Sequence, residues 1–130
     1  MARTPSSIID RTYTCPFLIH VYWSLNSQLR FSDFNPKPPT NNELLIYTWL
    51  NATLREITQI ITSCDSVIKN TRSCHKIAFS IVQYNNVKGK FDIKRIGIVR
   101  IKNTTDDDAG KQTLEDLGFR IGDYLSIGFL

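Results

Sequence analysis

Residues 40–63 have the sequence TNNELLIYTWLNATLREITQIITS and carry the strongest periodic pattern in the chain. Thr40 and Glu43 have the S/T-x-x-E spacing of a capping box, in which side chains bond two free amides at a helix start. At about 100° per residue, the apolar and polar residues separate onto opposite arcs. We therefore predict one amphipathic helix from Thr40 to about Ser63, with Trp49 at the border of the arcs. The apolar arc contains Ile46, Tyr47, Leu50, Leu54, Ile57, Ile60 and Ile61, and the solvent arc contains Thr48, Asn51, Arg55, Thr58, Gln59 and Thr62.

Strand-forming residues precede this helix. Residues 13–23 (YTCPFLIHVYW) are rich in β-branched and aromatic types, which favour strands. Both alternating sets of this run are largely apolar, so we expect much of both faces to be covered. Residues 25–28 are typical of a turn and residues 29–31 of a short second strand. The proline-rich residues 35–39 then predict a stiff connector.

A hairpin and a last strand follow the helix. Residues 76–84 (KIAFSIVQY) predict a strand, residues 85–90 a turn and residues 91–101 the returning strand. In the returning strand the apolar phase slips by one residue at Lys94 and Arg95, which predicts a β-bulge. A short turn or helix at 114–119 precedes the last strand, 124–129. The order β-β-α-β-β-β predicts an α+β fold: a ubiquitin-like β-grasp with one main helix packed across a mixed sheet.

The length and charge limit the class of protein. We predict a flexible N-terminal segment at residues 1–11 and a single ubiquitin-like domain at residues 12–130, which is an ordinary length for one domain. The net charge of +4 permits an acidic partner or nucleic acid without requiring either. No apolar run approaches the roughly 18 residues of a membrane span, and no secretory signal is present. Three cysteines without regular spacing suit a reducing compartment.

Motifs of catalytic, phosphate-binding and metal sites are missing from the sequence. Neither G-x-S-x-G nor G-x-x-x-x-G-K-[ST] occurs. Cys64, Cys74 and His75 are one ligand short of a usual structural zinc site. The run Asp106-Asp107-Asp108 lacks the alternating carboxylates of a calcium loop. We predict a protein without enzymatic activity, bound metal or cofactor.

Basic residues concentrate around the predicted hairpin. On alternating positions of a strand they would form a basic edge that contacts nucleic acid or an acidic partner. The competing interpretation is an edge whose lysines only prevent edge-to-edge aggregation of sheets. The six residues are Lys88, Lys90, Lys94, Arg95, Arg100 and Lys102.

The sequence of the predicted helix also resembles a known family. Residues 43–58 (ELLIYTWLNATLREIT) resemble the central helix of the Sin-three-associated polypeptide family, the eighteen-kilodalton subunit of a histone deacetylase co-repressor complex. Residues 9–16 are similar to the family's approach to its first strand, and residues 119–125 to its approach to the last. Thr105-Asp106-Asp107 and Thr113-Leu114 are similar as well. The printed sequence lacks the charged N-terminal extension and the Pro/Arg-rich tail of animal members, so contacts of that tail are not predicted.

The resemblance implies a ubiquitin-like fold, no enzymatic activity and a location in the nucleus, and it leaves an additional location in the cytoplasm open. It implies protein partners in two settings. One is the Sin-three co-repressor scaffold. The other is the apoptosis- and splicing-associated complex, with Acinus- or Pinin-like segments and an RNA-binding protein with a serine-rich domain, on spliced messenger RNA with the exon junction complex. We expect a monomer when the chain is alone, and contact with nucleic acid that is at most indirect.

Two functions stay open on these grounds. In the first, the chain is an adaptor whose sheet edge or helix flank receives a segment of a partner protein. Trp49 is then an interface anchor instead of a core residue. In the second, a small basic module binds RNA or DNA directly through the Lys88–Lys102 hairpin, and binding falls steeply with salt. The residues expected to bind a partner are Tyr47, Thr48, Trp49, Asn51, Arg55, Asp123 and Tyr124.

Overall fold

The computed structural model describes residues 9–25, 43–64, 74–102 and 108–130. Its elements are β1 (Phe17–Leu25), β2 (Glu43–Thr48), α1 (Leu54–Thr62), β3 (Lys76–Asn85), β4 (Lys90–Arg100), α2 (Asp108–Lys111) and β5 (Tyr124–Phe129). The strands of this described part form one sheet in the order β2-β1-β5-β3-β4. β1 and β5 are parallel, and the other neighbours are antiparallel. The predicted α+β class and ubiquitin-like β-grasp are confirmed.

The core lies between α1 and one face of this sheet. Ile19 and Val21 of β1 and Leu125 and Ile127 of β5 point to that face and are fully buried, as is Leu54 of α1. β1 begins at Phe17, directly after Pro16, because proline cannot donate a ladder hydrogen bond. Apolar residues of the central strands and of α1 therefore share one cluster.

The first half of the predicted helix is a strand, so the predicted start at Thr40 is wrong. β2 pairs antiparallel with β1, with Thr48 opposite Phe17 and Glu43 opposite Tyr22. Its side chains alternate with a period of two: Ile46 and Thr48 are buried, whereas Leu45 and Tyr47 are 57% and 65% exposed. Pairing with β1 determines the conformation, since a consecutive apolar run fits a strand as well as a helix. Tyr47, which was predicted on the apolar arc, is therefore exposed, and Thr48, which was predicted on the solvent arc, is buried.

The helix itself begins one turn after the end of β2. Thr53 is its N-cap, and the Thr53 hydroxyl accepts a hydrogen bond from the backbone N of Glu56 at 3.1 Å. Thr53 and Glu56 repeat the T-x-x-E spacing seen at Thr40 and Glu43. Leu54, Ile57 and Ile61 are buried, as predicted, but so is Thr58, which was predicted to face solvent. The Thr58 hydroxyl donates to the Leu54 carbonyl at 2.8 Å, which satisfies it without water.

Several predicted features lie outside the described residues. These are the short strand at 29–31, the Pro-rich connector at 35–39, Thr40, and the acidic residues 103–107. Within the described ranges, no helix combines the length and the apolar character needed to cross a membrane.

The predicted bulge in the returning strand is confirmed. The register of β3 and β4 shifts between Phe79 and Ser80, whose partners are Gly97 and Arg95, so Ile96 is the extra residue. Before the bulge, Phe91 and Ile93 of β4 pack on the sheet face away from α1. After it, Val99 faces the core. A Cβ at Gly97 would lie 3.3 Å from the Ala109 side chain, so a larger residue here would require Ala109 to shift by a few tenths of an ångström. The bulge thus turns the two halves of β4 to opposite faces.

The position of α1 gives a stability prediction. Leu54→Ala removes a fully buried side chain and should lower the free energy of unfolding by about 2–5 kcal/mol. The control, Gln59→Ala, changes an exposed residue of the same helix and should stay within about 0.5 kcal/mol. Denaturant unfolding of both variants measures the difference. Equal losses would contradict the orientation of α1 described above.

Candidate partner-binding surfaces

Arg11 is the centre of an interaction network that joins the N-terminal residues to the start of α1. Its guanidinium carbon lies 4.7 Å from the centre of the Trp49 ring. Its Nε and Nη2 donate to the Asn51 side-chain oxygen at 3.0 and 2.7 Å. Its Nη1 and Nη2 donate to the two Glu56 carboxylate oxygens at 2.8 and 3.1 Å. We call Arg11, Trp49, Asn51 and Glu56 the arginine clamp.

Trp49 is held from a second direction as well. Its indole N–H donates to the Thr14 carbonyl at 2.7 Å, and residues 10–14 form a turn in which the Asp10 carboxylate accepts from the Thr12 backbone N. One ring face and the polar edge of Trp49 therefore contact residues 11–14, while the residue as a whole stays half-buried. Two predicted partner-binding residues, Trp49 and Asn51, thus have an intramolecular role. Partner contact by them stays a prediction.

Sequence reasoning missed Arg11 and Glu56. Forty and 45 residues separate Arg11 from Asn51 and Glu56, so no local pattern connects them. The available signal was that residues 9–16 and residues 43–58 both carried the family resemblance. The first stretch contains Arg11, and the second contains Trp49 and Glu56. Because Arg pairs with carboxylates and stacks on aromatic rings, a contact between the two stretches was a testable hypothesis.

Arg55 extends to another part of the fold. Its Nη1 donates to the Arg100 carbonyl at 2.7 Å, at the end of β4. The described contacts therefore do not join Arg55 to Trp49. Tyr47 is exposed on β2, at the edge of the described sheet. Of the predicted residues 47–55, Tyr47 is the one with the most accessible side chain, and it lies on the sheet face away from α1.

Asp123 fixes the turn before β5, as its type suggested. Its Oδ2 accepts from the Arg120 backbone N at 2.9 Å and from the Gln83 side-chain amide at 2.8 Å, and its side chain is only 10% exposed. Gly122 has φ +102°, a left-handed conformation that favours glycine in this turn. Asp123 therefore ties the turn to β3.

An aromatic cluster occupies the sheet face away from α1. Tyr124 contacts the rings of His20, Tyr22 and Phe91 at centroid distances of 5.6, 5.5 and 5.7 Å. Burial raises the pKa of the Tyr22 phenol, and the charge of Glu43 and its hydrogen bond to the phenol raise it further. Glu43 Oε2 also lies 2.7 Å from His20 Nδ1. Glu43 therefore anchors β2 to β1, instead of capping a helix.

The six basic residues of the hairpin do not form one surface. Lys88 lies 3.8 Å from Asp92 at the turn. Lys94 donates to the Leu117 carbonyl at 3.5 Å, beside the core. Arg100 and Lys102 line a cavity of about 450 Å³ at the other end of the strand. Lys90 is exposed at the turn end of β4, and Arg95 is exposed in the middle of the strand.

Thiols and metal ligands show no joint site in the described chain. Cys15 is exposed, Cys64 and Cys74 are half-buried, and all three are free thiols. Within the described ranges, no three side chains of His, Cys, Asp or Glu come together as metal ligands would.

The fold and these surfaces define a small ubiquitin-like domain with an arginine clamp at one flank of its helix and a basic cavity at one end of its sheet. A family model described as Sin3 associated polypeptide p18 (SAP18) matches residues 8–128. The chain therefore belongs to the SAP18 family.

Relatives from distant organisms agree with this assignment. A human protein named Histone deacetylase complex subunit SAP18 is 33% identical over 128 residues, which covers 96% of this chain and 80% of the human one. A relative of the same name from Arabidopsis thaliana is 32% identical over 121 residues, with 92% and 77% covered. One from Drosophila melanogaster is 31% identical over 125 residues, with 96% and 81% covered.

The arginine clamp should contribute to stability. Arg11→Ala removes the ring contact and the hydrogen bonds to Asn51 and Glu56, and should lower the free energy of unfolding by about 1–2 kcal/mol after allowance for solvent screening. Arg95→Ala, at an exposed arginine of β4, should change it by less than about 0.5 kcal/mol. Denaturant unfolding measures both. Equal effects would mean that the clamp is not formed in solution.

Thr48 provides a test with the opposite sign. Its hydroxyl oxygen is buried and has no hydrogen-bond partner within the described part of the chain. Thr48→Val keeps the shape and removes this group, so it should raise the free energy of unfolding by about 1 kcal/mol. In the matched control, Thr58→Val, the lost hydroxyl is bonded to the Leu54 carbonyl, and the change should not stabilise the protein. A stabilised Thr58 variant and a destabilised Thr48 variant in thermal unfolding would refute this assignment.

Proposed function

We propose that this chain is a non-catalytic subunit of a histone deacetylase co-repressor complex in the nucleus, where it binds other proteins as an adaptor. The observation that carries the proposal is the SAP18 family match over residues 8–128. The human and Arabidopsis relatives, whose matches cover 96% and 92% of this chain, are named as subunits of a histone deacetylase complex. An adaptor acts by contacts, and this fold offers two kinds of contact surface.

The first kind of surface is a sheet edge. β2 and β4 are the outer strands of the described sheet, and an outer strand can pair with an extended segment of another protein. Leu45 and Tyr47 of β2 are exposed, so a segment paired there would gain apolar contact as well as backbone hydrogen bonds. These properties support β2 as a docking strand.

The second kind of surface is the flank of α1. Glu56, the clamp residue that lies in the helix, directly follows Arg55 in its first turn. A partner that reaches this flank meets Trp49 already covered on one face by Arg11, so the surface presents both a ring and a guanidinium. Aromatic and arginine side chains are enriched at binding hot spots, which supports this flank as a contact.

The finer assignment follows the family resemblance. We propose the Sin-three scaffold as the partner in the deacetylase complex. We further propose Acinus- or Pinin-like segments, together with an RNA-binding protein with a serine-rich domain, in the splicing-associated complex at exon junctions. The two settings make different predictions for the proteins recovered with the chain.

Capture of the complex tests the proposal. A tagged chain expressed in its own cells should recover deacetylase activity and a scaffold protein from nuclear extract. Tyr47→Ala and Arg55→Glu should each weaken capture at least about tenfold, or roughly 1.4 kcal/mol. The matched controls are Tyr13→Ala, another exposed tyrosine, and Gln59→Glu, another exposed position of α1.

The outcomes of this experiment separate the proposals. Melting curves show whether Arg55→Glu acts through the lost bond to the Arg100 carbonyl instead of through a partner. Recovery of splicing factors without deacetylase activity would refute the deacetylase assignment. Capture that survives both variants at full strength would exclude β2 and the helix flank as the interface.

Direct binding of RNA or DNA is the alternative function. Binding through several phosphate contacts should fall by orders of magnitude between low and physiological salt, whereas apolar docking should change little. The wide separation of the six basic residues speaks against one continuous phosphate track. Fluorescence anisotropy with single-stranded RNA at two salt concentrations decides between the alternatives.

A further inference from the structure

A basic cavity lies where β3 begins and β4 ends. Its volume is about 450 Å³, and its described lining consists of Cys74, His75, Lys76, Arg100 and Lys102. Three of these residues carry a full positive charge, and none is acidic. Two cavities at the opposite end of the hairpin, of about 410 and 330 Å³, each include an aspartate in the lining. The basic cavity thus differs in charge from these two cavities.

The positive side chains of this cavity repel one another. The strand register places Lys76 directly opposite Arg100. Like charges at directly opposite positions of a sheet destabilise the strand pair. Within the described residues, none of Lys76, Arg100 and Lys102 forms an ion pair that would offset this repulsion. A bound anion would offset it.

The backbone that carries these cations is held from three sides. The Ile101 N donates to the His75 carbonyl at 2.8 Å, which closes the β3–β4 ladder. His75 N and Lys76 N both donate to the Leu130 carbonyl, at 2.7 and 3.1 Å. Arg55 of α1 donates to the Arg100 carbonyl at 2.7 Å. The backbone around the cavity is therefore fixed before a ligand arrives, which lowers the entropy cost of binding.

We propose that this cavity binds the carboxylate or phosphate groups of an acidic segment in a partner protein, an inference that rests on the proposed protein-binding function. The described lining contains no aromatic ring, and base stacking on such rings is what single-stranded nucleic acids use. The exposed ring of Tyr84 and its neighbour Phe91 lie at the other end of the hairpin. The charge of the cavity therefore matches a peptide anion better than a nucleotide chain.

Peptide binding to the full chain tests this inference. The probe is a fluorescein-labelled peptide of alternating serine and glutamate, compared with the same peptide carrying glutamine and with a uridine 12-mer RNA. We expect anisotropy to show binding of the acidic peptide, at least tenfold weaker binding of the glutamine peptide, and weaker binding of the RNA. Lys102→Glu and Lys76→Glu should each weaken the acidic peptide at least tenfold. Lys90→Glu, the same charge change at the other end of β4, should weaken it less than twofold.

Each contrary result overturns the inference in a defined way. Equal losses in all three variants would mean that only the net charge attracts the peptide. Tighter binding of the RNA would make the cavity a nucleic-acid site. If the parent chain does not bind the peptide but a variant with Asp106→Asn and Asp107→Asn does, the chain's own acidic run occupies the cavity. Melting curves of the variants must match that of the parent protein. The Lys102→Glu variant can also be tested for capture of the deacetylase complex. If it no longer binds the peptide but still recovers the complex, the cavity does not bind a partner segment there. This inference then fails, while the proposed function stands.

Discussion

The parallel pairing of β1 with β5 is the interaction on which the rest of the structure depends. It joins residues 21–25 to residues 125–129 in the middle of the sheet. Without it, the described strands would form two separate antiparallel units, the pair β2-β1 and the three strands β5-β3-β4. Trp23 and Phe129 pack edge to face across this seam, with ring centres 5.9 Å apart. Parallel strands are usually covered on both faces, and here α1 covers one face and the aromatic cluster around Tyr124 the other.

The fold class was predictable because its signals are local. Alternation over β3, the phase slip in β4 and the residue types of β1 and β5 all survive in the structure within a few residues. The start of the helix was not predictable, because residues 44–47 are apolar at consecutive positions and fit the period of a strand as well as that of a helix. Pairing of Ile46 with Ile19 decides between them, and that contact joins residues far apart in the chain. The T-x-x-E spacing could not decide, since it occurs at both Thr40 and Thr53.

The candidate site was predictable only in part, for the same reason. Sequence placed Trp49 at the border of a helix, whereas it lies between β2 and α1, and the residue that covers it, Arg11, lies 38 positions earlier. The basic residues of the hairpin were grouped by sequence spacing, whereas the bulge at Ile96 and the length of β4 distribute them over both faces and both ends. Lys76 joined Arg100 only once the strand register was known.

The first turn of α1 connects the two candidate surfaces. Glu56 holds Arg11 of the clamp, and the preceding residue, Arg55, holds the carbonyl of Arg100 beside the basic cavity. The N-cap region is fixed in addition by the loop before β5, because Leu54 N donates to the Gln112 carbonyl at 3.0 Å and Leu114 N to the Ala52 carbonyl at 3.0 Å. A helix of nine residues is marginal by itself in water. Here its first turn is bonded to three segments that are distant in sequence. Those bonds stabilise the short helix and keep the clamp and the cavity in fixed relative positions, so that one partner could contact both.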